Sequence, residues 1–253
     1  MRFAALLALA CAAAGVSMAA QRGPAPAAIR PRLDPAVIGL ACAPSVVFEP
    51  PAASLLVTGS QDSFVRRTHA EGDLITINAG RANGLEVGQE FYTRRVLLEN
   101  RRPATPDTPG VVRTTGWIRI YAVDDTMSLA TITHSCETVD VGDYLEPFVL
   151  PVPPAQAAER LPAERDNYGR ILVGADRRGA FGSGDYMVVD RGSNHGVAPG
   201  ARFAIYRDRD EPGNFLFDLG EAVAVEVKAE TSTLLVTVAR DAMLAGDLVA
   251  LRR

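Results

Sequence analysis

The sequence contains few of the residues from which active sites and nucleic-acid surfaces are built. It has three histidines, three cysteines and one tryptophan, and aromatic residues make up 6% of its 253 positions. The histidines (His69, His134 and His195) lack the H-x3-H or H-E-x2-H spacing of zinc sites. The formal charge of −4 argues against a nucleic-acid binder, which would present a basic face. We therefore expect a protein that is not an enzyme and that uses no cofactor and no metal.

Long apolar runs are absent after the first 20 residues. Residues 1–20 combine Arg2, an apolar stretch and small residues near position 20, which is the pattern of a secretory signal peptide. The apolar stretch is short and alanine-rich compared with the about 20 residues that span a bilayer. The sequence therefore predicts an exported, periplasmic protein without a transmembrane segment in the mature chain. An uncleaved N-terminal anchor and acylation at Cys11 are the alternatives.

Removal of the signal peptide leaves two cysteines, Cys42 and Cys136. Exported proteins mature in an oxidising compartment, where a pair of thiols favours a disulfide over a metal site. We predict a bond between Cys42 and Cys136, with two separate thiols as the alternative.

Proline and alanine mark the boundaries of the predicted domains. Residues 21–53 hold seven prolines and predict an extended, partly ordered lead-in without a long helix or an inner strand. Residues 149–167 form a second Pro/Ala-rich stretch, typical of a domain linker. The two predicted domains are residues 54–148, which lie between these stretches, and residues 168–253, which follow the second stretch.

The strongest pattern in the chain is an internal repeat. Residues 73–95 recur as residues 185–207 at a constant offset of 112, and residues 116–145 correspond to residues 220–249. A chain that contains one unit twice must satisfy the same backbone plan in both copies. What repeats is turn chemistry, and we assign structural roles to these residues: Gly80, Gly84, Gly88, Gly142 and Asp143 in the first copy, and Gly192, Gly196, Gly200, Gly246 and Asp247 in the second.

Each copy contains short segments of alternating apolar residues separated by glycine turns, which predicts β-strands. The expected strands are 54–58, 73–78, 89–97, 115–124, 127–134 and 143–147, then 169–175, 184–190, 201–207, 219–228, 231–239 and 246–251. Closing on itself removes the exposed edges of a small sheet. We therefore predict an all-β protein with two tandem, about six-stranded, SH3-like barrels. One mismatch remains: Ile118 and Ile120 mark the apolar face of 116–123, whereas Val223, Val225 and Val227 suggest the opposite phase in 220–227. A bulge or a misplaced gap in the alignment of the copies would explain it.

The copies differ most between their third and fourth strands. Residues 97–114 of the first copy are longer than their counterpart and carry Arg101, Arg102 and Arg113 among prolines. An insertion confined to one copy is free of the constraints of the barrel and can serve a partner. We predict a partner-binding loop here, with a passive surface loop as the alternative.

The repeated pattern resembles the C-terminal domain of bacterial flagellar assembly protein T. The resemblance rests on the glycine-spaced run from Asn78 to Arg95, the glycine-led strand pair from Gly116 to His134, and the pair Gly142-Asp143, each with its second copy. It implies a periplasmic protein that builds or stabilises a ring around the flagellar basal body. Paired small barrels are also similar in architecture to the periplasmic part of the rod-shape protein MreC, a scaffold for wall synthesis.

Together these features favour a non-catalytic envelope protein that acts as a structural or protein-interaction module, in a flagellar or wall-synthesis assembly. The alternative is a module that binds peptidoglycan or another cell-wall glycan in the groove between the barrels. Self-association is left open by the sequence.

Overall fold

The computed structural model describes residues 33–252 apart from 62–65, 98–108, 155–158, 160–161, 175–178 and 209–214. Helix α1 (Pro35–Cys42) is followed by strand β1 (Ser45–Val47). The first copy then contains β2 (Val57–Ser60), β3 (Thr68–His69), β4 (Leu74–Ile77), β5 (Glu90–Leu97), β6 (Gly110–Val123), β7 (Ser128–Ser135), β8 (Val139–Asp140) and β9 (Tyr144–Pro147). The second contains β10 (Ala163–Gly174), β11 (Tyr186–Val189), β12 (Arg202–Asp208), β13 (Leu216–Val227), β14 (Ser232–Ala239) and β15 (Leu248–Arg252). The predicted all-β fold is confirmed.

The second copy is a closed antiparallel barrel with the strand order β10-β11-β14-β13-β12-β15. The first copy follows the corresponding order, β2-β4-β7-β6-β5-β9, within a sheet that also contains β1. The two ends of this path meet, because Leu56 and Tyr144 form a β-bridge and the Leu145 amide donates to the Leu55 carbonyl at 3.0 Å. The same neighbours therefore surround each strand in both copies.

Each copy buries one face of its strands in a separate apolar core. The core of the first contains Val57, Ile75, Ile77, Phe91, Ile118, Ile120, Ala130, Ile132 and Leu145. The core of the second contains Ile171, Met187, Val189, Phe203, Ile205, Ala222, Ala224, Leu234, Val236 and Val249. Side chains alternate between the two faces of a strand, so a period-two pattern places every second residue inside.

The suggested difference in phase between β6 and β13 is wrong. Ala222 and Ala224 face the second core, and their cross-strand register matches that of Ile118 and Ile120 in the first. The sequence pattern misled because the inward residues of β13 are small, whereas Val223 and Val225 outside are large. Val227 does pack against the second core, after a register shift between Ala224 and Glu226. Phe203 and Met243, both fully buried, lie in the same core as these alanines.

The repeated turns use glycine for two different reasons. Gly84 and Gly196 end short 3-10 turns with φ of +81° and +79°, a conformation that residues with a Cβ rarely adopt. Gly80 and Gly192 have negative φ, but a Cβ there would overlap the carbonyl oxygens of Asp124 and Lys228. Close approach of two backbone segments therefore explains the first glycine of each turn.

The side chains preceding these left-handed glycines also act alike. Asn83 Oδ1 accepts the Gly80 amide at 3.2 Å, and His195 Nδ1 accepts the Gly192 amide at 3.1 Å. Asn83 and His195 thus satisfy the same backbone donor, which explains how a histidine replaces an asparagine without disturbing the turn.

The lead-in is more ordered than the sequence suggests. Asp34 caps α1 by accepting the Ala36 amide at 2.8 Å, and Pro35 occupies the first helical turn, where a missing amide is tolerated. Strand β1 pairs antiparallel with the start of β6, Val46 opposite Val111. The expectation of an extended segment is therefore wrong for residues 35–42, which are helical, whereas β1 is extended.

The lead-in also lies between the two barrels. Val46 and Val111 pack with Val173 and Val188 of the second copy in one small apolar cluster. Residues 33–253 accordingly form one compact unit.

The proposed linker 149–167 overlaps β10, which begins at Ala163, so the ordered second copy starts earlier than its repeat pattern suggests.

Candidate binding cleft between the two barrels

A cleft of about 330 Å³ lies where the lead-in, the first barrel and the second barrel meet. Its lining comes from α1 and the residues after it (Leu40, Ala41, Ala43, Ser45), from β5 and β6 (Tyr92, Arg94, Thr114), from the segment after β9 (Val149, Leu150, Pro151, Val152) and from β13 (Val225, Glu226). Concave, mixed polar and apolar surfaces between packed units are common places for ligands and partners. This cleft is therefore the candidate site.

Tyr92 and Arg94 are held in fixed positions on β5. The Tyr92 hydroxyl donates to the Val149 carbonyl at 2.8 Å and so ties the segment after β9 to the barrel. The Arg94 guanidinium lies 5.0 Å from the centre of the Tyr92 ring, within range of a cation–π interaction. Its Nε is 3.3 Å from Glu146 Oε2. These two contacts fix the orientation of the guanidinium.

Burial also sets the protonation of the tyrosines near the cleft. It raises the pKa of Tyr92, although the charge of Arg94 acts in the opposite direction. Burial and then the charge of Glu146 raise the pKa of Tyr144 to about 12. Both phenols are therefore neutral hydrogen-bond donors at ordinary pH.

The Tyr144 shift predicts an alkaline loss of stability. Between pH 10 and pH 12 the unfolded chain releases the phenol proton while the folded chain retains it, so the free energy of unfolding falls as pH rises through this window. We expect Tyr144→Phe to reduce this fall by about 1–2 kcal/mol in denaturant titrations. Tyr121→Phe, at a position that is 60% exposed, is the matched control. Identical profiles for wild type and Tyr144→Phe would contradict the assignment.

The helix that forms one wall of the cleft is fixed by an aromatic cluster and a disulfide. Trp117, which is 2% exposed, packs edge-on to Tyr92 and stacks on His134 with ring centres 4.2 Å apart. Phe148 completes the cluster, 4.8 Å from the Tyr92 ring centre. Ala41 of α1 lies against Tyr92 and Trp117.

The predicted disulfide between Cys42 and Cys136 is confirmed, with Cα atoms 5.6 Å apart and a sequence separation of 94. It joins the end of α1 to the residue after β7. Cys42, His134 and Cys136 form the group of potential metal ligands found in the described part of the chain. Both of its sulfurs are engaged in the disulfide, so they offer no thiolate to a metal in this state.

The predicted partner loop is corrected in one respect. Arg101 and Arg102 lie outside the described residues. Arg113 is not in a loop: it belongs to β6 and is 3% exposed. The strand begins at Gly110 because β1 pairs with this end of β6, which converts the expected loop into sheet. Arg113 is therefore not an exposed contact residue.

The repeated aspartates and the repeated arginines meet, which the sequence analysis did not foresee. Arg95 Nε and Nη2 donate to the two oxygens of Asp143 at 2.6 and 2.9 Å, and Arg207 donates to Asp247 at 2.8 and 2.7 Å. Asp143 and Asp247 are 1% and 7% exposed. Bidentate arginine–carboxylate pairs combine charge with fixed geometry.

These carboxylates also bind backbone donors. Asp143 Oδ2 accepts the Asp140 amide at 3.0 Å, and Asp247 Oδ2 accepts the Leu244 amide at 2.7 Å. The signal for this pairing was present in the sequence, because both partners recur at equivalent positions in the two copies. Each carboxylate is therefore bound by a backbone amide of its own turn and by an arginine of a neighbouring strand.

The cleft has a small set of polar side chains. Its described lining offers one tyrosine, one arginine, one glutamate, one serine and one threonine, without a histidine or a cysteine. No helix in the described residues is long and apolar enough to cross a membrane. Neither a protein-family model nor a curated protein matches the chain.

Proposed function

We propose that the protein is an exported, non-catalytic module of the bacterial cell envelope that works by binding another protein. The observation that carries this proposal is the cleft at the junction of the two barrels, where Arg94 is oriented by Tyr92 and Glu146. The repeated polar residues, in contrast, are engaged within the barrels by Arg–Asp pairs and turn contacts. The repeated residues therefore stabilise a rigid scaffold, and the cleft is the surface on that scaffold that binds.

Export is supported by two independent features. Residues 1–20 have the pattern of a signal peptide, and the disulfide between Cys42 and Cys136 suits an oxidising compartment. The periplasm is the compartment that we propose. The resemblance to flagellar assembly protein T and to the periplasmic part of MreC makes flagellar and wall-synthesis assemblies the first places to look for the partner.

Site-specific crosslinking in cells tests the proposed partner site. A photoreactive residue at Val152, which lines the cleft and is 87% exposed, should trap one defined envelope protein. The matched control is the same residue at Val87, which is 66% exposed in a turn of the first barrel. Trapping at Val152 that is absent at Val87 and lost in Arg94→Ala supports the proposal. Equal trapping at both positions, or none at Val152, would contradict it.

A cell-wall glycan is the second candidate for the same cleft. Tyr92, Arg94, Ser45, Thr114 and Glu226 line it together, and such polar and aromatic groups suit sugar hydroxyls and carboxylates. Retention of the purified protein by sacculi, lost in Arg94→Ala and kept in Arg119→Ala, would favour this alternative. Arg119 is a suitable control because its side chain is 47% exposed and pairs with Glu90 on the same barrel.

A further inference from the structure

The two barrels pack head to tail, with different surfaces of each in contact. The first barrel contributes the start of β6 and its partner β1, of which Val111 and Val46 are buried. The second barrel contributes the outer face of β10, β11 and β14, where Val173 and Val188 lie in the same cluster. On that face the Thr233 hydroxyl also donates to the Pro44 carbonyl at 3.5 Å. We call these surfaces the strand end and the sheet face.

The first barrel has its own sheet face, on which Leu129 is exposed. In the second barrel Val188 pairs with Thr233, and in the first Thr76 pairs with Leu129, so these pairs occupy equivalent places. Thr233 is 3% exposed, whereas Leu129 is 40% exposed. Two further apolar side chains lie beside Leu129 at the tip of the β6–β7 hairpin: Tyr121 is 60% exposed and Met127 is 47% exposed.

The second barrel likewise has its own strand end, at the start of β13. Arg95 pairs with Arg113 and Arg207 pairs with Phe217, which makes Phe215 the equivalent of Val111. Val111 is 4% exposed because it packs on the sheet face of the second barrel, but Phe215 is 72% exposed. Large aromatic side chains at such exposure are typical of interaction surfaces.

Among the described residues, one strand end and one sheet face meet, whereas Leu129 and Phe215, at the equivalent places of the other face and end, stay 40% and 72% exposed. We infer that a second copy of this chain completes the pattern, with the Phe215 strand end of one copy on the Leu129 sheet face of the next. The contact inside the chain is the precedent for this choice of occupant. In the first barrel Gly59 and Thr76 stand at the places of Val173 and Val188, so the apolar side chains of its sheet face are Leu129, Tyr121 and Met127. A contact between two different surfaces is heterologous, so it repeats from copy to copy into a ring or a filament.

Mixing two complementary variants tests this geometry. Phe215→Glu removes the strand end and leaves the sheet face, and Leu129→Glu does the reverse. In sedimentation velocity, wild type should grow beyond a monomer as concentration rises, and each variant alone should stay monomeric. An equimolar mixture should form a dimer and nothing larger, because one Phe215 end and one Leu129 face remain intact. Val87→Glu, another exposed apolar-to-acid change, should associate like wild type.

Several outcomes would overturn the inference. These are a wild type that stays monomeric at all concentrations, single variants that associate as wild type does, or a mixture that stays monomeric. Thermal unfolding of each variant checks that folding is retained, and Phe215→Ser and Leu129→Ser serve where the acidic forms are unstable. The inference does not depend on the proposed envelope partner, since self-association is measured with the purified chain and partner capture in cells.

Discussion

Replacing Asp143 by alanine is expected to destabilise the protein by about 3 kcal/mol or more, because it leaves Arg95 without its main counter-charge in a largely buried place. The change also removes the acceptor of the Asp140 amide and of the Thr115 hydroxyl, which donates to Asp143 at 2.9 Å. Burial lowers the pKa of Arg95, but the hydrogen bond and charge of Asp143 outweigh it and raise that pKa overall. The guanidinium therefore stays charged in the variant, and the loss of Asp143 lowers the free energy of unfolding.

The chain offers two comparisons for this prediction. Asp140 also contacts Arg95, at 2.9 Å, but its side chain is 32% exposed, so Asp140→Asn should cost less than about 1 kcal/mol. Asp247→Ala in the second copy should resemble Asp143→Ala, since it breaks the equivalent pair. Urea unfolding monitored by circular dichroism measures all three. Equal stabilities for Asp143→Ala and Asp140→Asn would refute a structural role for the repeated Gly-Asp.

Loss of the disulfide is expected to produce the second large effect. The bond closes a loop with a sequence separation of 94, and its removal should cost about 2–5 kcal/mol. Cys42 is the last residue of α1, which covers Trp117. We therefore expect the double variant Cys42→Ala/Cys136→Ala to release the helix and expose the indole to water.

The single tryptophan makes this expectation directly measurable, because all indole fluorescence of the chain comes from Trp117. Reduction by a thiol, or the double variant, should shift the emission to longer wavelength and increase quenching by acrylamide before global unfolding occurs. The backbone of the second barrel should be unaffected in the same samples. Unchanged emission and unchanged stability after full reduction would mean that packing alone holds α1 in place.

The strands and turns could be predicted because their determinants are local and occur twice. Gly84 and Gly196 share a left-handed turn, and Phe91 and Phe203 face their respective cores. Equivalent positions confirm one another, so the strand segments match the observed elements closely. The repeat misled where residue size reversed, at Ala222 and Ala224, since small inward residues weaken an apolar pattern, and it did not indicate the early start of β10 at Ala163.

The sequence predicts a groove between the barrels but not the residues that line it, because these residues are distant in sequence. The cleft depends on docking of α1, on pairing of β1 with β6, and on the path of the segment after β9. In the described part of the lead-in, residues 33–53, the helix is the eight-residue α1, and proline-rich composition carries no information about such a short helix held by a disulfide. The same pairing explains why Arg113 lies in a strand rather than in the expected loop.

Hydrogen exchange followed by NMR tests most directly whether one barrel plan occurs twice. In the first copy the Leu145 amide closes the path of strands through the Leu55 carbonyl at 3.0 Å, and in the second the Ile171 amide does so through the Asp247 carbonyl at 2.9 Å. We predict strong protection of both amides, comparable to that of neighbouring core strands. Exchange of the Leu145 amide at the rate of an unstructured peptide, with Ile171 protected, would show that the two copies do not share one closed architecture.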